Sequence, residues 1–175
     1  MRGGLNVSFK YDKLKQDFIK YFGEELLNEE EIIKTYQNAV DVVCSEYLGI
    51  ESIPVVFDSL IDEVARYDFK LVAIILNRKY KNDYVELLDS TLHELEHHWQ
   101  HIYISNFDTP KAKRWKEEFN HYDKYNAYQE VEIDAYAFAQ VIGHCEFGIN
   151  YKCEDQTLQM LVEEYINSKK ILSDN

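Results

Sequence analysis

The chain has 175 residues, 46% of them apolar and interrupted by only two prolines and six glycines, a composition that sustains one packed domain and excludes a disordered tail. Its 32 acidic residues against 19 Lys plus Arg give a net charge of −13, which opposes the phosphate neutralisation on which nucleic-acid affinity rests, so no DNA or RNA partner is expected. Met1 to Ser8 lack the apolar core of a signal peptide, and no stretch reaches the roughly 18 apolar residues of a membrane span; Cys44, Cys145 and Cys153 lack scaffold spacing, so the expectation is a soluble, cytoplasmic protein with reduced thiols and no membrane partner.

Helical periodicity begins at Leu14, Phe18 and Phe22 and resumes from Glu30 through Ile33, Tyr36, Val40, Val43 and Tyr47, giving two helices around Gly23. The acidic run from Glu24 to Glu31 reads as a solvated loop and helix start. Ile53 to Phe57 and Leu71 to Leu76 are β-branched and apolar over strand-like lengths and predict two strands, while the period of Ser59 to Tyr67 settles neither state. Asp83 with Glu86 has the form of a capping box, and Leu87, Leu88, Leu92, Leu95 and Trp99 continue it as a long helix from about Tyr84 to about Ser105. After the turn signal Asp108-Thr109-Pro110, the charged stretch Lys111 to Lys124 fits helix or ordered loop. Two further helices are expected, over about Gln129 to Ile142 and about Asp155 to Ile171. The fold class expected is α+β, a single mostly helical domain over 1–175 with a small sheet, its core at about 53–142.

The long helix carries His93-Glu94-Leu95-Glu96-His97. Four residues apart on a helix, His93 and His97 share one face and can both reach one zinc ion, while Glu94, one step round, is placed near a water on the metal as general base. A shuffled chain of this composition would contain His-Glu-x-x-His about 0.02 times, so chance is a poor source of the motif. His98 points about 100° away from His97, and His101 is two turns from His93, so neither can complete the set on a straight helix; both read as surface or outer residues. A third His reached through a glycine turn is ruled out by Gln100 and Tyr103, which stand where that arrangement needs Gly and His.

A catalytic zinc still lacks one protein ligand, and the run Gln129 to Ala139 offers a carboxylate from a second helix. Glu130 and Glu132 lie about 200° apart there, so only one can face the metal. Glu132 is preferred because Ala135, Tyr136 and Ala139 share its face and would let the two helices approach closely. Glu130 stays open as an alternative, since Asp134 falls four residues beyond it. Tyr136, one turn past Glu132, is a candidate donor to the oxyanion of a tetrahedral intermediate. His144 and Cys145 with Cys153 offer too few donors for a second metal.

His-Glu-x-x-His followed by Glu on a later helix resembles the gluzincin-type zinc peptidases, and Glu132-Ile133-Asp134-Ala135-Tyr136-Ala137-Phe138-Ala139 is similar to the Glu-x-x-Ala-x-x-Phe-Ala segment of the compact ImmA/IrrE-like proteases. The resemblance spans residues 53 to 142. It implies a zincin-like fold in which a metal helix packs on a glutamate helix, with one zinc per chain on His93, His97 and Glu132 and with Glu94 as base. The chain departs from that pattern at Tyr136, where related peptidases carry Asp or Asn to orient a metal-bound His. The helix is also similar to that of the SprT-like group through His-Glu-Leu-x-His-x-Trp, whose third ligand is a later His; His121 and His144 are the residues to test for that part. The function expected is zinc-dependent hydrolysis of peptide bonds in a protein or peptide substrate, with Leu71 to Leu76 as a strand able to pair with it at the sheet edge. The alternatives are a non-catalytic zinc-containing binding module and a metallohydrolase acting on a small-molecule amide or ester.

Overall fold

A computed structural model describes residues 28–121 and 126–173. Five α-helices are described, α1 (Glu29–Val43), α2 (Tyr84–Asn106), α3 (Pro110–Asn120), α4 (Glu130–Ile142) and α5 (Gln156–Ser173), together with three strands, β1 (Val55–Asp58), β2 (Ala65–Asp68) and β3 (Ala73–Asn77). The class is α+β, mostly helical with a small sheet. The helix expected over Leu14 to Phe22 lies outside the described residues.

Local chemistry sets the helix starts. The Asn28 side chain accepts the Glu31 N–H while the Glu31 carboxylate accepts the Asn28 N–H, a reciprocal cap that opens α1 within the acidic run. Asp83 accepts the Glu86 N–H to open α2, and Thr109 caps α3 with Pro110 in its first turn, where a missing N–H costs nothing. α1 and α4 each widen into a π-helical turn, Cys44–Leu48 and Gly143–Phe147, ended by Gly49 and Gly148 at φ of 65° and 68°. These left-handed positions favour a residue without a Cβ.

β3 is the middle strand, parallel to β1 (Val55 opposite Ile74) and antiparallel to β2 (Tyr67 opposite Ile74). Its five residues are all buried, so the segment expected to form a substrate-pairing edge is instead enclosed on both sides. The edge nearest α2 is β2, formed within the stretch whose periodicity settled nothing: Ala65 is buried, Arg66 exposed and Tyr67 half-buried, too short an alternation to read alone. The main core joins Ile32, Tyr36 and Val40 of α1 and Ile74 and Leu76 of β3 to Leu88, Leu92 and Leu95 of α2. α2 packs along α4, and Ala135 and Ala139, both buried, permit that approach.

Candidate metal centre

Side chains of α2 and α4 build the site. His93 and His97 stand one helical turn apart with their Nε2 atoms 3.0 Å from each other. A separation that short between two imidazole nitrogens leaves room for at most one proton between them. From α4, Glu132 Oε2 lies 3.3 Å from His93 Nε2 and Oε1 lies 3.5 Å from His97 Nε2, so three donors converge on one point. Glu94 also brings a carboxylate oxygen to within 4.8 Å of both imidazoles, and His93, Glu94 and His97 could hold a metal ion.

The two carboxylates are held differently. Glu94 Oε2 accepts the Tyr67 N–H of β2 at 2.8 Å, which ties the helix to the sheet edge and engages one oxygen of Glu94. Glu132 is almost fully enclosed, and both of its oxygens face imidazole nitrogens. Of the two, Glu132 is the better placed to share an ion with His93 and His97. Burial alone would raise its carboxyl, but hydrogen bonds and charge from His93 and His97 hold it far below the usual carboxylate range. His97 answers in kind: burial pulls it down, yet the Glu132 carboxylate lifts it from 6.5 to about 9.

The orientation of His97 is set by a relay absent from the sequence reading. Gln100 Oε1 lies 2.8 Å from His97 Nδ1, while Gln100 Nε2 donates to the Val131 carbonyl at 2.9 Å and to Asp134 Oδ2 at 3.1 Å. Two acceptors beside Nε2 fix the amide, since a flipped Gln100 would set carbonyl against carbonyl. Nδ1 of His97 is therefore the donor, and Nε2, the atom facing Glu132, is the one that takes a proton or a metal ion. Asp134 is itself gripped by the Tyr165 hydroxyl of α5 and approached at 3.8 Å by Lys111 of α3. The only sequence signal for Gln100 was its position one turn after His97.

His93 is held by packing. Its Nδ1 is buried without a hydrogen-bond partner among the described residues, and the Tyr136 ring packs against it edge-on with centroids 4.4 Å apart. Tyr136 thus reaches the centre as a wall of His93. Glu130 turns away to pair with Arg114 at 3.1 Å, and Asp134, four residues beyond it, supports Gln100 instead. His98, expected at the surface or outside the first layer, is buried with its Nδ1 3.0 Å from the Tyr67 hydroxyl, and the exposed His101 stacks on Phe69. His144 bonds to Asn150. His121 ends α3 at the surface. No protein-family model matches this chain, and neither does any curated protein or solved structure.

Proposed function

We propose that this chain is a zinc-dependent hydrolase of peptide bonds, of the gluzincin type, with one zinc ion held by His93, His97 and Glu132 and with Glu94 as general base. The observation that carries the reading is the convergence of three donors at separations of 3.0, 3.3 and 3.5 Å. Tetrahedral ligands about 2.0 to 2.1 Å from a zinc ion lie about 3.3 to 3.4 Å apart, so the donor set fits the ion. Two imidazoles and one carboxylate also make the three-ligand complement of a catalytic site, which keeps a position open for water. When bound, the ion supplies Lewis-acid polarisation of a carbonyl and acidifies water.

The chain's own residues divide the remaining work. Tyr67 N–H engages Glu94 Oε2, which leaves Oε1 to take the proton of the attacking water and return it to the departing amine. Gln100 keeps the Nδ1 proton of His97 in place and the Nε2 lone pair aimed inward. The Tyr136 hydroxyl is the proposed donor to the oxyanion. A peptide substrate is favoured by β2, whose only strand partner among the described residues is β3. Tyr67 turns its N–H to Glu94 and away from that partner, so the outer edge of β2, with that donor engaged by the base, is the edge an extended chain would meet there.

Glu94→Gln tests the reading because it keeps shape and removes the base. Zinc content by elemental analysis and the melting temperature should match wild type, while cleavage of an unstructured protein mixture, read by mass spectrometry as new termini, falls about 100- to 10,000-fold. Equal cleavage by the two proteins, or a protein that refuses zinc on titration, would overturn it.

A further inference from the structure

The hairpin that joins β2 to β3 turns through Phe69, Lys70, Leu71 and Val72, and three of these four are apolar side chains left 61%, 67% and 41% exposed. Hairpin turns ordinarily carry Gly, Asn or Asp. Val72 sits at φ 51°, a left-handed conformation that a β-branched residue adopts only under strain. A glycine there would relieve the strain and an asparagine would remove the exposed apolar surface, yet the position holds valine. The tip is therefore both conformationally and hydrophobically expensive.

Its location gives that cost a use. Tyr67 stands on Glu94 and His98, and two residues later Phe69 stacks on His101, so β2 runs along α2 in the direction from the base towards the tip. Two residues of extended chain span about 6 to 7 Å. A peptide paired with the outer edge of β2, with its scissile bond beside Glu94, carries a side chain into contact with Phe69 and Leu71 about two residues from that bond. We infer that the Phe69-Leu71-Val72 tip is a specificity surface that selects peptides with a bulky apolar side chain at that position. The inference rests on the proposed peptidase reading, and it names the substrate class: extended segments rich in aromatic or branched aliphatic residues, such as cores exposed by unfolding. A lipid surface is the other natural partner for exposed apolar tips, but adjacency to the base and to a strand edge that no other described strand covers favours a peptide.

The test uses the full zinc-loaded chain carrying Glu94→Gln, so that probes are bound and not cut. Two fluorescein-labelled short extended peptides, identical except for Phe or Ser at one position, are compared by anisotropy. The Phe probe should bind about 10-fold or more tightly, the scale of burying one large apolar side chain. That gap should close when Phe69→Ser and Leu71→Ser are added together, and shrink with Val72→Gly, whose melting temperature should stay level or rise because strain is relieved. Equal affinities for the two probes, no binding of either, or a gap that survives both sets of substitutions would overturn the inference. Sedimentation with phosphatidylcholine vesicles that Phe69→Ser with Leu71→Ser abolishes, without peptide discrimination, would assign the tip to lipid and overturn it too. Discrimination between probes with no cutting by the Glu94-intact chain would sink the peptidase reading alone; cutting with no apolar preference near the cleaved bonds would sink the inference alone.

Discussion

Glu132, facing the middle of α2, and Asp89, one turn before His93, are both nearly enclosed at 2% and 4% exposure, yet their surroundings drive them in opposite directions. Glu132 meets two imidazoles and stays ionised far below the usual carboxylate range. Asp89 is pushed up from 3.8 to about 7, by burial first and by the nearby Glu86 second, and its Oδ1 has no hydrogen-bond partner among the described residues. The neighbouring Tyr151 and Cys153 are raised as well, chiefly by burial and partly by the charge of Asp89. Burial by itself neutralises a carboxyl; only opposing groups keep it charged and fit to bind a cation.

The strongest test of that contrast is metal retention. Glu132→Ala should weaken zinc binding by well over the roughly 10- to 100-fold that loss of an outer hydrogen-bond partner costs, while Asp89→Asn and Glu130→Ala leave it unchanged in chelator competition. Loss of zinc in Glu130→Ala and retention in Glu132→Ala would reverse the assignment.

Stability against pH separates the two acids next. A carboxyl whose folded pKa is raised makes the native state bind more protons than the unfolded chain between about 4 and 7, so wild-type stability should fall as pH rises through that window. Asp89→Asn removes the titration, and at pH 8 it should stabilise the protein by on the order of 2 to 4 kcal/mol in denaturant unfolding. A pH profile that Asp89→Asn leaves unaltered would show that the carboxyl has found a partner.

Smaller effects probe how the charged site is held. Gln100→Leu keeps the volume but drops the bond to His97 and both bonds to α4, so zinc affinity should fall about 10- to 100-fold and the metal-free protein should melt lower as well, because buried partners are left unsatisfied. The smallest signal is a proton. With His97 raised to about 9, zinc uptake near pH 7.5 should release about one proton, measurable by calorimetry in two buffers of different ionisation enthalpy, and affinity should decline as pH falls below about 9. In the metal-free protein the sign is the same as for Asp89, at higher pH: the raised His97 value contributes stability that is complete below 6.5 and lost as pH climbs through about 9. Zinc uptake with no proton release would mean that Glu132 does not hold His97 protonated.

The residues legible in advance were those whose placement is local. The spacing of His93, Glu94 and His97 and the leucines around them fix a helix and one shared face, because four residues make about one turn whatever else the chain does. The bounds of α2 and α4 followed from the same period and from a capping side chain at Asp83. Preference for Glu132 over Glu130 came from the small residues on its face, and only the packing of α4 on α2 turned that face to the histidines and Glu130 to Arg114.

What depends on distant segments meeting was beyond the sequence. β2 is four residues long and carries no decisive period; its place at the edge comes from β3 being claimed on both sides, and the Tyr67 N–H reaches Glu94 only because that edge lies along α2. Gln100 became the partner of His97 because Asp134 and the Val131 carbonyl occupy its amide nitrogen, an arrangement spanning two helices and buttressed by a third. The ionisation of Glu132 and the neutralisation of Asp89 were decided in the same way. A side chain's type determines which charges it can carry, whereas the charge it does carry depends on solvent exclusion and on the groups that tertiary packing sets against it.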